Sequence, residues 1–228
     1  MALPEPVLVL ALIAAVVGLG WTHRRDAERR RRQRARFFEG CEALFRTCRV
    51  VQDGPGYPVL TGHYRGFDVR LEPVVDALAV RKIPSLWIKA TVLARSPVRA
   101  VFDLIMRPQG VEVYSPSGDL EHRVASPPGW PAQGVICTDD PKALPDLTLI
   151  EPHLSLFQDE RMKELLITPK GTRLVRQVCQ ADRARYAVLR QAEFPAAALD
   201  PALARSLLDS AIDVWCSLQA PAPLLKAS

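Results

Sequence analysis

Residues 59–75 read VLTGHYRGFDVRLEPVV, and the spacing of apolar side chains in this stretch decides the fold class. Apolar residues at 67, 69 and 71 alternate with charged residues at 68, 70 and 72, which is the period of a strand that buries one face. Arg65 and Gly66 favour a turn between the two halves of the stretch. The pattern therefore predicts two strands, over 59–64 and 67–75, and with them a sheet.

Other runs with strand character follow along the chain, at residues 86–92, 100–106, 134–137, 163–167, 172–178 and 185–190. The sequence Thr168-Pro169-Lys170-Gly171 has the form of a tight turn between two of these runs. The last three runs therefore predict an antiparallel meander. Much of the segment from 115 to 145 is rich in proline, glycine and serine, which predicts loops around the short strand at 134–137.

The clearest predicted helix closes the chain. Asp200 before Pro201 has the form of an N-cap with proline at the first helical position, and the helix is expected to end near Leu218. Its apolar face consists of Leu203, Leu207, Leu208, Ala211, Ile212, Trp215 and Leu218. Its polar face consists of Arg205, Asp209 and Asp213. Short helices are predicted after Asp140 and over 153–158.

These elements predict an α+β fold with a mainly antiparallel sheet covered by a C-terminal helix. The domain is expected over residues 57–220, and residues 221–228 are expected to be a flexible tail. The chain is 48% hydrophobic and 24% charged, which is typical of a packed globular protein and argues against disorder over most of its length.

A different pattern precedes this domain. Residues 7–20 read VLVLALIAAVVGLG, without a polar side chain, and Leu3 and Trp21 extend the run. This predicts a transmembrane anchor over residues 1–22. The expected membrane-spanning side chains are Val7, Leu8, Val9, Leu10, Leu12, Ile13, Val16, Val17, Leu19 and Trp21. A secretory signal peptide is the alternative, but Glu5 and the lack of a basic residue before the run argue against it.

Eight arginines follow the apolar run directly: Arg24, Arg25, Arg29, Arg30, Arg31, Arg32, Arg34 and Arg36. With Asp26 and Glu28 they give residues 23–36 a charge of +6, while the whole chain carries +5. The remainder is thus near neutral, which argues against a nucleic-acid-binding domain. Since basic residues stay on the cytoplasmic side, the N-terminus is expected outside and the domain in the cytoplasm, with the anchor in the cell (inner) membrane. These arginines also form a candidate site for anionic lipid headgroups.

A basic juxtamembrane helix is predicted over residues 23–53. Between residues 21 and 39 there is no proline or glycine, and the cluster at Gly54-Pro55-Gly56 stops the helix. Apolar residues recur beyond the arginines at helical spacing, at Phe37, Phe38, Cys41, Leu44, Phe45 and Cys48. This face is expected to pack on the domain, with a partner helix as the alternative.

Residues with catalytic or metal-binding character do not form a recognisable motif. The sequence has no glycine-rich phosphate loop, no G-x-S-x-G and no H-E-x-x-H, and His23, His63, His122 and His153 are scattered. Five cysteines, without a C-x-x-C pair, are expected to be reduced and mostly buried. Asp139-Asp140 is the best carboxylate pair, and a helix cap at Asp140 is the simpler interpretation. No catalytic residue, metal or cofactor is predicted.

Two short motifs follow the membrane segment and the basic helix: Y-R-G-F-D-V-R-L at Tyr64–Leu71, which with Gly62 has the form G-x-Y-R-G, and T-D-D-P at Thr138–Pro141. A strand hairpin and a helix close the chain after them. In these motifs and this order the chain resembles bacterial single-pass membrane-anchored proteins of unknown function. The resemblance covers most of residues 57–218. It implies a membrane anchor and an α+β domain, and it implies no catalytic residue. High alanine, arginine, proline and leucine content fits a bacterial origin.

The leading functional hypothesis is a membrane-anchored, non-enzymatic interaction domain that meets a protein partner or a second copy of itself. The first alternative is a tethered enzyme or small-ligand-binding domain whose site includes Asp139, His153 or Arg173. The second alternative is anionic-lipid sensing by the arginine-rich helix. A deep pocket that gathers these three side chains would favour the enzyme, and a flat apolar patch would favour the interaction domain.

Overall fold

A computed structural model describes residues 5–78, 83–190, 192–195 and 198–219, apart from the side chains of Glu5, Val7, Leu8 and Leu189. Three α-helices are present: α1 (Glu5–Ala35), α2 (Arg183–Leu189) and α3 (Pro201–Gln219). The strands are β1 (Thr47–Val51), β2 (Val59–Tyr64), β3 (Phe67–Asp76), β4 (Ser85–Val92), β5 (Phe102–Met106), β6 (His122–Val124), β7 (Gly134–Thr138), β8 (Met162–Thr168) and β9 (Gly171–Gln180). The predicted α+β class, with an antiparallel sheet and a C-terminal helix, is confirmed.

All nine strands form one antiparallel sheet in the order β1-β2-β3-β4-β9-β8-β5-β7-β6. The predicted turn between β2 and β3 is present, and Arg65 and Gly66 both have positive φ, at 48° and 88°. Two such residues give the tight hairpin whose twist matches that of a sheet. Gly171 has a φ of 154°, and a Cβ there would lie 2.0 Å from the carbonyl oxygen of Val92, so the turn before β9 requires glycine.

The main core lies between one face of the sheet and α3. Leu104, Leu165 and Leu174 are fully buried on this face of the central strands, and Leu208 and Ala211 of α3 belong to the same cluster. Asp200 caps α3 as predicted, since its carboxylate accepts a hydrogen bond from the backbone N–H of Ala202 at 2.8 Å. On the predicted apolar face Leu203 and Trp215 are half-buried. Asp209, predicted to face water, is half-buried and bonded to Tyr64.

The N-terminal helix ends earlier than the sequence predicts. α1 stops at Ala35, and residues 47–51, expected as the end of a helix over 23–53, form β1 instead. Gly40, with a φ of 86°, lies in the turn segment between them. Phe37, Phe38 and Cys41 are nevertheless buried as predicted, because this turn carries them into the core, whereas Cys48 is exposed on β1.

The structure corrects two further predictions. Residues 185–190 were expected as a strand, but Asp182 accepts a hydrogen bond from the N–H of Arg185 and begins helix α2. The cysteines are not mostly buried, since only Cys41 and Cys137 are. The two short helices predicted in the middle of the chain are present as 3-10 helices, at Pro141–Ala143 and Glu151–Gln158. The predicted tail at 221–228 lies outside the described residues.

Helix α1 has 31 residues and is therefore about 46 Å long. Within the described residues, none of the helices has both the length and the apolar character that crossing a membrane requires. Two of the predicted membrane-spanning side chains, Val7 and Leu8, lie outside the described part.

Candidate functional site

The first half of α1 is an apolar surface open to solvent on all sides. Its large side chains are between 55% and 73% exposed: Val9, Leu10, Leu12, Ile13, Val16, Val17, Leu19 and Trp21. No described part of the chain covers them. A large exposed apolar surface of this kind is typical of a site that contacts lipid or another protein.

The arginine segment, defined as Arg24–Arg36, follows this surface. Six of its eight arginine side chains are exposed, and Arg30 and Arg34 are half-buried. Two arginines form exposed ion pairs, Arg32 with Glu28 at 3.7 Å and Arg36 with Glu39 at 2.7 Å. Exposed pairs of this kind contribute little to stability, so most of the positive charge remains available to other anions.

The end of α1 is attached to the domain by several contacts. Arg34 donates a hydrogen bond to the carbonyl oxygen of Pro55 at 2.9 Å, and its guanidinium lies 4.8 Å from the ring centroid of Tyr57. Gln52 donates to the carbonyl oxygen of Arg31 at 2.9 Å. The fully buried Phe37 follows directly, and its carbonyl oxygen accepts from the N–H of Leu199 at 2.7 Å. These contacts attach the C-terminal end of α1 to the domain.

Strand β1 is the outermost strand of the sheet at this end. It pairs with β2 in register from Thr47 opposite His63 to Val51 opposite Val59. All five of its side chains are exposed, including Val50 at 38% and Val51 at 47%. Its other backbone edge pairs with no strand of the described residues.

Open hollows on the surface of the described residues include the following two. The first, about 460 Å³, adjoins β1 and includes Arg49, His63 and Asp68, and His63 Nδ1 lies 3.2 Å from the Asp68 carboxylate. The second, about 550 Å³, lies between Leu44 and the first turns of α3, near Asp209. Neither hollow includes Asp139, His153 or Arg173.

A polar cluster that the sequence did not reveal lies on the sheet face opposite α3. This carboxyl cluster consists of Asp103 on β5, Glu164 on β8, Arg173 on β9 and Ser115 in the loop after β5. Arg173 donates to both oxygens of the fully buried Glu164, at 3.0 and 3.2 Å. Ser115 Oγ donates to Asp103 Oδ2 at 2.9 Å. Asp103 Oδ1 has no hydrogen-bond partner among the described residues.

Burial raises the pKa values of the acidic groups in and beside this cluster. Burial, reinforced by the negative charge of Glu164, raises the pKa of Asp103 to about 8. Burial also raises the pKa of Glu164, although Arg173 opposes the shift. Cys137 lies opposite Asp103 on β7, and burial raises the pKa of its thiol, so this cysteine is not an activated nucleophile.

The loop between β5 and β6 covers the cluster. Its Tyr114 is buried, with a ring centroid 4.9 Å from that of Trp87 on β4. Since the cluster is closed on this side and its carboxylates are engaged with Ser115 and Arg173, it has the character of an internal structural network. The only signal in the sequence was a single acidic residue within each of two apolar runs, FDLIM at 102–106 and MKELLIT at 162–168.

The three residues of the enzyme hypothesis do not share a site. Asp139 accepts a hydrogen bond from the N–H of Val101 at 2.7 Å, and His153 Nε2 lies 2.9 Å from Ser217 Oγ on α3. Arg173 belongs to the carboxyl cluster on the opposite face of the sheet. Asp140 accepts from the N–H of Lys142, which is the predicted cap. The described residues hold no group of three histidine, cysteine or acidic side chains placed to bind a metal ion.

Neither family models, nor curated proteins, nor solved structures give a match to this chain. The resemblance carried by the motifs at Gly62–Gly66 and Thr138–Pro141 therefore stays a prediction.

Proposed function

We propose that this chain is a single-pass membrane protein in which α1 is the anchor and the α+β domain is a non-enzymatic interaction module at the cytoplasmic face. The observation that supports the anchor is the apolar surface between Val9 and Trp21, which is exposed around the whole helix. The apolar run also includes Leu3, Val7 and Leu8, whose side chains the structure does not describe. The segment from Leu3 to Trp21 has 19 residues, with Glu5 as its one charged side chain, and so approaches the length of about 20 residues that a bilayer requires.

The arginine segment supports the proposed orientation. Positive side chains directly after an apolar helix are retained on the cytoplasmic side, and the residues before the helix include none. In this arrangement the first arginines of the segment, Arg24 and Arg25, lie nearest the lipid headgroups. A basic side chain at the membrane surface gains about 1 kcal/mol from anionic lipids, so these lipids are proposed partners of the segment.

The attachment of α1 to the domain supports a role in presentation. Phe37 and Phe38 are fully buried only two and three residues after α1 ends, and Arg34 is bonded to the loop before β2. In this proposal the attachment presents the domain to its partners near the membrane surface. Confinement to a surface also raises the effective concentration of the domain, so that modest affinities suffice.

Membrane extraction tests the anchor. We expect the full chain to remain in the pellet when membranes are washed with alkaline carbonate, and the variant Leu12→Arg/Val16→Arg to be released, because charges within the apolar segment oppose insertion by about 2.5–3.5 kcal/mol each. Val188→Arg is the matched control, since Val188 is 80% exposed on α2 in the folded domain. Release of the unaltered chain by carbonate would refute the proposed anchor.

A further inference from the structure

The two edges of the sheet differ in how open they are. At one end β6 has only three residues, which offers little backbone for pairing. At the other end β1 has five residues, all of them exposed. No described residue of the chain pairs with the outer backbone of β1, so its N–H and C=O groups on that side are open to another strand.

The composition of β1 suits strand addition. Thr47, Val50 and Val51 are β-branched, and the strand contains no proline, glycine or bulge. The two valines are 38% and 47% exposed and point to opposite faces of the sheet. An added strand would cover the backbone and part of both valines.

Charge identifies the kind of strand that fits. Arg46 and Arg49 are exposed, and neither forms an ion pair with a carboxylate of the described residues. Between residues 24 and 51 there are ten arginines against four carboxylates, a net charge of +6. The hydrogen bond from Gln52 to the carbonyl oxygen of Arg31 holds the end of β1 against the arginine segment.

We propose that the outer edge of β1 binds an extended, acidic segment of a partner protein, which joins the sheet as a tenth strand beside Thr47–Val51. The inference deepens the proposed function, on which it rests, by assigning the interaction surface and the chemistry of the partner. Backbone hydrogen bonds supply affinity in this mode of recognition, and Arg46 and Arg49 select acidic side chains.

The same charges argue against a second copy of this chain as the occupant. Pairing of β1 with itself brings Arg46 and Arg49 of both copies to one short ribbon, and like charges across a strand pair are destabilising. A single arginine on an edge strand also protects it from unwanted pairing. In β1, however, that arginine stands among exposed residues with high strand propensity, which leaves the edge open to a partner of opposite charge.

The test measures binding of a fluorescent eight-residue peptide of alternating glutamate and valine to the full chain in nanodiscs of zwitterionic lipid. A second peptide carries an N-methyl group on every backbone amide, so that it keeps its charges but neither of its edges can donate hydrogen bonds to form a strand ladder. The protein variants are Arg46→Glu/Arg49→Glu and, as the matched control, Arg99→Glu, which alters an exposed arginine outside the sheet. Hydrogen exchange of residues 47–51 reports whether the strand is added.

We expect the unmodified peptide to bind and to slow amide exchange in β1, and the double variant to bind it about tenfold more weakly. N-methylation is expected to abolish binding, and Arg99→Glu to leave it unchanged. Equal binding of the N-methylated peptide or of a single-stranded oligonucleotide would overturn the inference in favour of a general polyanion surface. Absence of peptide binding would also overturn it, and the carbonate extraction would then show separately whether the anchor still holds.

Discussion

At the scale of single residues, the carboxyl cluster is the most unusual feature of the domain. Asp103 and Glu164 lie on neighbouring strands, with Arg173 bonded to one and Ser115 bonded to the other. One guanidinium cannot neutralise two buried carboxylates, so the second acid is more stable with a proton than with a charge. Asp103, whose Oδ1 has no hydrogen-bond partner among the described residues, is the acid that retains its proton.

This protonation makes stability depend on pH. Folding raises the pKa of Asp103 to about 8, whereas in the unfolded chain the pKa of this side chain is the ordinary one of an aspartate, about 4. The stabilisation of the folded state by protonated Asp103 is therefore complete below about pH 4, and it is lost as the pH rises towards 8. We expect Asp103→Asn to raise the free energy of unfolding by about 1–3 kcal/mol at pH 8 and to change it little at pH 4.5.

Chemical denaturation at the two pH values measures this difference. Asp119→Asn is the matched control, because Asp119 is exposed in the loop between β5 and β6 and lies outside the cluster. An equal effect of Asp103→Asn at both pH values would show that Asp103 does not hold a proton in the folded protein.

At the scale of elements, the sequence predicts those that carry a complete local pattern. The alternation in β3 and β4, the turn between β2 and β3, and the cap and apolar face of α3 are local signals, and the structure confirms them. β1 escaped prediction because both of its faces are exposed, which removes the alternation. α2 was mistaken for a strand because its apolar run is short and only the cap at Asp182 marks a helix.

The candidate sites also differ in whether the sequence alone reveals them. The apolar surface of α1 and the arginine segment follow directly from composition and spacing. The edge of β1 and the carboxyl cluster depend on strand order and register, since Asp103 and Glu164 are 61 positions apart in the chain and meet only through the pairing of β5 with β8. A single sequence does not contain that information.

The junction between α1 and the domain is an element-scale feature with a measurable strength. We expect Phe37→Ala to lower the free energy of unfolding by about 3–5 kcal/mol, because a fully buried aromatic side chain is replaced by a cavity. Val188→Ala, at a site 80% exposed, is the matched control and is expected to change it by less than about 0.5 kcal/mol. Denaturation in detergent micelles compares the two variants. A change in the free energy of unfolding as small as that of Val188→Ala would mean that Phe37 is not packed in the core at the junction.

At the scale of the whole molecule, charge and shape separate the chain into two parts. Residues 23–36 carry +6 and the remainder carries −1. From Trp21 to Ala35, α1 rises about 21 Å, so a domain attached at Phe37 lies within roughly that distance of the proposed membrane surface. The interaction edge on β1 adjoins the same end of the helix. In the proposed arrangement, a partner would therefore meet the domain close to the lipid headgroups.

Site-specific thiol labelling tests this arrangement most directly. Cys48 and Cys216 are exposed, so a membrane-impermeant maleimide reports the side on which the domain lies, with the double variant Cys48→Ser/Cys216→Ser as the blank. We predict labelling of the unaltered chain in inverted membrane vesicles and not in intact cells, and the reverse for an Ala2→Cys variant in which Cys48 and Cys216 are replaced by serine. Labelling of Cys48 and Cys216 in intact cells, or their recovery in the soluble fraction, would contradict a membrane-anchored domain on the cytoplasmic side.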